Sequence, residues 1–489
     1  VPTAELHTVP PRHVLGGLRE GGPLALMERT GQQAQGALTR LDLGTFRPFL
    51  VTHPDHLRHV LRDHGGNYRR GTAMWKATSR LTGRGITGER PRWRASRDLW
   101  CKGLSGGAPA HADGTAASVE GAATELERSV AGGATVDALA EMTRVVLRVV
   151  NPAFFGSRIP QHRCDRLASA VAVAFDSLLW RVALPFVPLT VPVPGDRVFG
   201  RATRTANEIL LPLIRRARYE RNTGPDLMSV LLAGADADGR ALSDEHAAQD
   251  VVALFVAGSE SSALTLTWAW VALAAHPDLA AEVRAEADAV LCGGPARPEH
   301  ARRLVLTRRF LAEVCRLYAM AWAVPGTAVT EDVIDGVTVP AGATVVLSPY
   351  LTHRLPQFWE RPLRFDPGRF AAERVRDRHP LAYLPFGDGP HRCVGQAFFF
   401  QQAALVVARD DQPVRLRGTG PGRAQGRGRA ADAGLCRPGA HPAPLTRHVR
   451  TGRPPTVPRS HQRRGLRTGP TTRRRTEAAA VRRPAARSG

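Results

Sequence analysis

Between Glu245 and Ala275 the sequence keeps a helical period, and this run constrains the fold more than any other. Val251-Val252-Ala253-Leu254-Phe255-Val256 is apolar on every side, so the helix offers no face to water and belongs inside a core. Such a core needs more elements around it. Segments 117–130, 136–150, 202–219 and 308–317 show the same helical periodicity. Strand signals are shorter. Val337-Thr338-Val339, the turn Pro340-Ala341-Gly342 and the run Thr344 to Leu347 read together as a hairpin. The expected class is mainly α with a small β-sheet portion.

Hydrophobic residues make up 43% of the 489-residue chain, enough for a sizeable core. Cys101, Cys164, Cys292, Cys315, Cys393 and Cys436 are scattered and form no paired CxxC. That argues against a disulfide framework or a zinc site and suits a reducing compartment. The N-terminal residues show no apolar signal region or anchor, so a cytoplasmic location without a membrane anchor is the expectation. Leu178 to Pro194 joins Trp180 and other apolar residues with Pro185, Pro188, Pro192 and Pro194, which break a helix. It reads as a buried irregular connection; the functional alternative is part of an entrance for a greasy substrate.

The net charge of +23 is unevenly placed: from Gln412 onward there are 19 Arg, no Lys, and only Asp432 and Glu477 to oppose them. That segment carries +17 and leaves +6 for the rest. It lacks Phe, Tyr, Trp, Ile and Met, cannot bury enough apolar surface to offset its ordering entropy, and is predicted to be disordered. The division is therefore a body at 1–410 and an Arg/Pro/Gly-rich tail at 411–489. A shift of reading frame near Arg409 to Gln412 accounts for such a composition, and a non-functional product is one reading of the chain. A nucleic-acid arm is the rival account, but with no aromatic for base stacking a nucleic-acid partner is not expected.

Chemistry concentrates at Phe386-Gly387-Asp388-Gly389-Pro390-His391-Arg392-Cys393-Val394-Gly395. Glycines permit tight turns and close approach to a flat ligand. A helical run follows from Gln396, and a cysteine at a helix mouth sits near N–H groups that stabilise a thiolate. Glu313 and Arg316 share a helix face at i, i+3, and Trp93 and Arg97 share one at i, i+4. Ala257-Gly258-Ser259-Glu260-Ser261-Ser262 interrupts the long apolar helix with a glycine and a carboxylate, both costly there without a purpose.

With these segments in this order, the chain resembles the cytochrome P450 family over roughly Leu15 to Arg409. Phe386, Gly389, His391, Cys393 and Gly395 stand in register with its haem-binding signature. The resemblance implies haem b with Cys393 as the axial iron ligand, His391 facing a propionate, and Trp93 and Arg97 contacting propionates. It implies a buried structural triad of Glu313, Arg316 and Arg369, the last within Phe365-Asp366-Pro367-Gly368-Arg369-Phe370. Gly258 would open a groove for dioxygen, and Glu260 with the Ser261 hydroxyl would relay protons. Two positions depart from the family: Ser261 stands where threonine is usual, and Thr327 replaces a propionate-facing arginine, with His353 the candidate for compensation.

The implied activity is monooxygenation of an apolar small molecule of terpenoid, fatty-acid or polyketide type. Dioxygen and electrons from a ferredoxin and ferredoxin reductase would drive it, in a monomer. Peroxide-driven oxidation or rearrangement at the same haem thiolate is the alternative.

Overall fold

The computed structural model describes residues 6–409 apart from 43, 106–111, 131–135, 157, 184–186, 188–189, 221–223, 225 and 236–238. The tail expected to be disordered lies outside the described residues.

The axis of the fold is the central helix, Asp244–Ala275. Ser243 caps it by accepting the His246 N–H at 3.2 Å, and Asp244 and Glu245 complement the positive end of its dipole. It ends at Ala275, because the residue before a proline disfavours helical backbone and Pro277 opens the next helix. By length and composition the central helix could cross a membrane; here 56% of its apolar window is buried inside the fold. Helix Ala138–Phe155 packs along it, capped by the Asp137 carboxylate, and helices Asp196–Tyr219 and Gln161–Asp176 pack together beside them. Phe154, Phe155 and Phe255 form an aromatic cluster where the first two helices meet, with centroids 6.1–6.2 Å apart. Helices Val305–Leu317 and Gln396–Arg409 also pack on the central helix and on each other within this core.

Eight short strands are described: β1 (His7–Val9), β2 (Thr39–Leu41), β3 (Phe49–Val51), β4 (Tyr68–Arg69), β5 (Val324–Ala328), β6 (Asp332–Ile334), β7 (Val337–Val339) and β8 (Thr344–Leu347). Six make one sheet in the order β1-β2-β3-β8-β5-β4, while β6 and β7 form a separate antiparallel ribbon. This confirms a mainly helical fold with a small sheet. It corrects the hairpin expected around Pro340-Ala341-Gly342. β7 pairs with β6 across Asp335 and Gly336, whose positive φ values of 49° and 77° suit a two-residue hairpin turn. β8 instead enters the sheet parallel to β3 and antiparallel to β5.

The proline-rich connection is not the buried loop it reads as. Its described part begins with a short helix, Leu179–Ala183, and leaves Leu179 and Trp180 68% and 49% exposed.

Candidate active site

The Cys393 loop is closed by its own backbone, the Cys393 N–H donating to the Phe386 carbonyl at 2.9 Å. Gly387 and Gly389 make this possible with φ near 65°, a region that side chains resist. Gly389 is doubly required: a Cβ there would lie 2.0 Å from the Leu61 carbonyl oxygen. Phe386 sits against Phe399 and Phe400 at 5.8 and 5.5 Å, which fixes the loop on helix Gln396–Arg409. Gly395 provides that helix's first carbonyl, accepting the Phe399 N–H at 2.8 Å. Arg62 reaches across to Asp388 at 2.7 Å and ties the loop to the turn His59–Asp63.

Cys393 is exposed, yet protein atoms crowd round it, and this desolvation pushes its thiol up from the ordinary value. The Gly395 and Gln396 N–H groups and the charges of Arg97 and Arg392 act in the opposite sense without reversing it. A thiol in this position needs a strong cation to become a thiolate, which a bound metal ion supplies.

Helix Arg90–Ser105 brings a second set of groups to the same loop. Ser96 donates to the buried Asp250 at 2.5 Å, which pins this helix to the central helix. One turn before Ser96, Trp93 is buried with its ring 4.3 Å from His391, and the residue after Ser96, Arg97, donates to the Arg392 carbonyl at 2.7 Å. His391 Nε2 lies 3.3 Å from Glu89, while its Nδ1 is buried with no hydrogen-bond partner among the described residues.

Arg70 was missed in the sequence. Its backbone N–H binds Glu89 at 3.0 Å, its guanidinium reaches the Ile86 carbonyl at 3.2 Å, and it stacks on Trp75. Burial, opposed by the Glu89 charge, lowers its pKa to about 10. Arg70 adjoins Arg69, the β4 partner of Thr327 in β5, so an arginine stands close to the position where the expected one is absent.

Glu313, Arg316 and Arg369 come together in the core. Arg316 holds Glu313 with two bonds of 2.6 and 2.8 Å, both side chains fully buried, and Arg369 Nε lies 3.4 Å from Glu313. The remaining Arg316 donors reach the His353 and Pro362 carbonyls at 2.7 and 2.8 Å. The charges are thus paired and hydrogen-bonded, as buried charges must be.

The proposed role of His353 at the cofactor needs correction. It is fully buried and spends both ring nitrogens on backbone: Nε2 accepts the Leu384 N–H at 3.0 Å, so Nδ1 donates to the Arg316 carbonyl at 3.1 Å. It links the triad to the start of the cysteine loop and has no group left for a ligand.

In the central helix, Ala257 and Glu260 are exposed and Ser261 is half-buried, although residues 250–255 just before them are all buried. A Cβ at Gly258 would meet the Phe154 ring at 3.5 Å, an ordinary contact, so packing does not demand a glycine there. Burial, and then the Asp176 charge, raises the Glu260 carboxyl above the usual range. Ser261 Oγ donates back to the Ala257 carbonyl at 2.5 Å.

Comparison with known proteins agrees with this architecture. The family model described as cytochrome P450 matches residues 15–409. Cyclooctat-9-en-7-ol 5-monooxygenase of Streptomyces melanosporofaciens is 30% identical over 78% of this chain and 83% of its own. Pentalenene oxygenase of Streptomyces avermitilis is 26% identical over 77% of this chain and 83% of its own. Among solved structures, a cytochrome P450DA haem domain superposes with a TM-score of 0.73 at 23% identity, covering 83% of this chain and 90% of that one.

Proposed function

The chain belongs to the cytochrome P450 family and is a haem-dependent monooxygenase, and on that premise we propose that it oxidises an apolar terpenoid with Cys393 as the iron ligand. The observation that carries the reading is Cys393 itself, exposed yet crowded by protein, on a loop closed through Gly389, where no Cβ fits.

The residues present suit haem. The unpartnered His391 Nδ1 and the cationic Arg97 and Arg70 match the carboxylates a haem carries, and Arg70 offers a substitute for the arginine missing at Thr327. Haem bound through a thiolate supplies dioxygen activation, which electron donation from sulfur favours. The chain's own work is to hold, shield and deliver protons. Gly395 and Gln396 N–H groups hold the sulfur, and the packing of Phe386 on Phe399 and Phe400 holds its loop against the following helix. The raised Glu260 carboxyl keeps a proton available on its oxygen nearer neutral pH, and Ser261 Oγ passes it on. Gly258 leaves that stretch of helix open.

The substrate class rests on relatives whose names specify a cyclooctatenol and pentalenene. Exposed Leu179 and Trp180 suit an entrance for such a molecule. Electrons come from a ferredoxin and its reductase, and the protein works as a cytoplasmic monomer. The test is a spin-state titration of the haem-loaded protein, then turnover with ferredoxin, reductase and NADPH. Terpenoid alkenes shifting the spectrum and being hydroxylated support the reading. A shift with fatty acids alone, or turnover with hydrogen peroxide but not with electron donors, overturns it.

A further inference from the structure

Outside the cysteine site, one group of side chains among the described residues has the geometry of a metal centre: His59, His64 and Asp332, whose ligand atoms all lie within 4.8 Å of one another. His59 opens the turn His59–Asp63, His64 caps it, and Asp332 begins β6. His59 Nε2 lies 2.9 Å and His64 Nδ1 3.3 Å from the same oxygen, Asp332 Oδ2, and the two imidazoles stack with centroids 3.9 Å apart. The Tyr68 hydroxyl also donates to that oxygen, at 2.8 Å, whereas Oδ1 accepts the Val333 N–H at 2.8 Å.

The count of donors is the anomaly. A carboxylate oxygen offers about two lone-pair sites. Asp332 Oδ2 faces three groups, two of them histidine nitrogens that each need a proton there to be attracted to it. A divalent cation between the three removes the excess: each imidazole then presents a lone pair, and the carboxylate coordinates instead of accepting. In a tetrahedral zinc site with bonds of about 2.0–2.1 Å, ligand atoms stand about 3.3–3.4 Å apart. The two separations to Asp332, 2.9 and 3.3 Å, need only small adjustment to reach this, and the two imidazole nitrogens lie within 4.8 Å of each other. Tyr68 and the Val333 N–H are then the outer hydrogen bonds that orient the carboxylate. The scattered cysteines argue against a thiolate zinc site and say nothing against two imidazoles and a carboxylate, which suit zinc-type ions.

We propose that His59, His64 and Asp332 bind one zinc-type divalent ion, separate from the haem iron. The site has mechanical reach. Leu61 and Arg62 lie between the two histidines in sequence, and they are the residues that touch Gly389 and Asp388 of the cysteine loop. The ion would clamp that turn to the β6–β7 ribbon and brace the loop from outside.

The experiment is calorimetric titration of Zn2+ alone into the haem-loaded full chain, with the haem spectrum followed in parallel. One equivalent should bind without disturbing the haem spectrum, and H64A, which alters an exposed side chain, should abolish the binding. Y68F should weaken it about 10–100-fold. H56A and H379A test the neighbouring pairs His56 with Asp335 and His379 with Asp55, and should leave the affinity unchanged. No saturable binding by the wild type, or binding that survives H64A, overturns the proposal.

Discussion

His353 Nε2 accepts the backbone N–H of Leu384 at 3.0 Å, two residues ahead of the Phe386 that opens the cysteine loop. The bond exists only while the imidazole is neutral. Burial, and then the Arg316 charge, holds the His353 pKa well below its ordinary 6.5. The unfolded chain therefore takes up a proton near 6.5 that the folded chain refuses. Stability contributed here is complete above that pH and is lost as pH falls below it, by at most about 1.4 kcal/mol per pH unit. Denaturant titrations of wild type and H353Q at several pH values should show a steeper acid loss for the wild type. Parallel curves would remove His353 as the source.

The Glu313–Arg316 pair should behave as a buried pair does when half of it is taken away. R316M leaves the Glu313 carboxylate with the Asp366 N–H at 2.9 Å and the more distant Arg369 charge, and should cost about 3–5 kcal/mol. R316K keeps the charge but loses the planar fork that serves Glu313 and two carbonyls together, so it should not restore stability. Equilibrium unfolding of the haem-loaded variants measures both.

G389A tests the cysteine loop directly. The left-handed backbone alone costs a side chain roughly 1–2 kcal/mol. The new Cβ would also stand 2.0 Å from Leu61 O, so the total should be larger. Haem retention after gel filtration should fall sharply, whereas G258A, with only an ordinary contact to Phe154, should retain haem normally.

Proton delivery gives a pH signature. Glu260 must be protonated to donate, so turnover should fall as pH rises through its elevated pKa. D176N removes the neighbouring like charge and should move that limb to lower pH. E260Q should reduce turnover by about 100-fold or more. S261A should divert electrons to hydrogen peroxide, and S261T should do so less than wild type, because the added methyl fixes the hydroxyl rotamer. Product formed per NADPH consumed reads both changes.

Long helices were legible because their burial repeats along the sequence: the run read at 245–275 is the helix Asp244–Ala275. Strand partners were harder, since pairing is non-local. The signal for the true hairpin was Asp335-Gly336, a dipeptide that favours a two-residue turn, and the proline-glycine turn beside it drew attention away. The cysteine loop was legible because glycine, aromatic and cysteine each have one narrow use there. His353 and Arg70 were not placed, because their roles depend on backbone groups distant in sequence, the Leu384 N–H and the Ile86 carbonyl. The stacked His59 and His64 are five residues apart and complete their group with Asp332 from another part of the chain, which no local spacing reveals.

The most direct test of the central claim is the carbon-monoxide spectrum of the reduced, haem-loaded protein, taken on wild type and C393H. The account predicts the strongly red-shifted Soret band of a thiolate-ligated haem for wild type and its loss in C393H. A wild-type spectrum of the histidine-ligated kind, or a red-shifted band that survives in C393H, would contradict it.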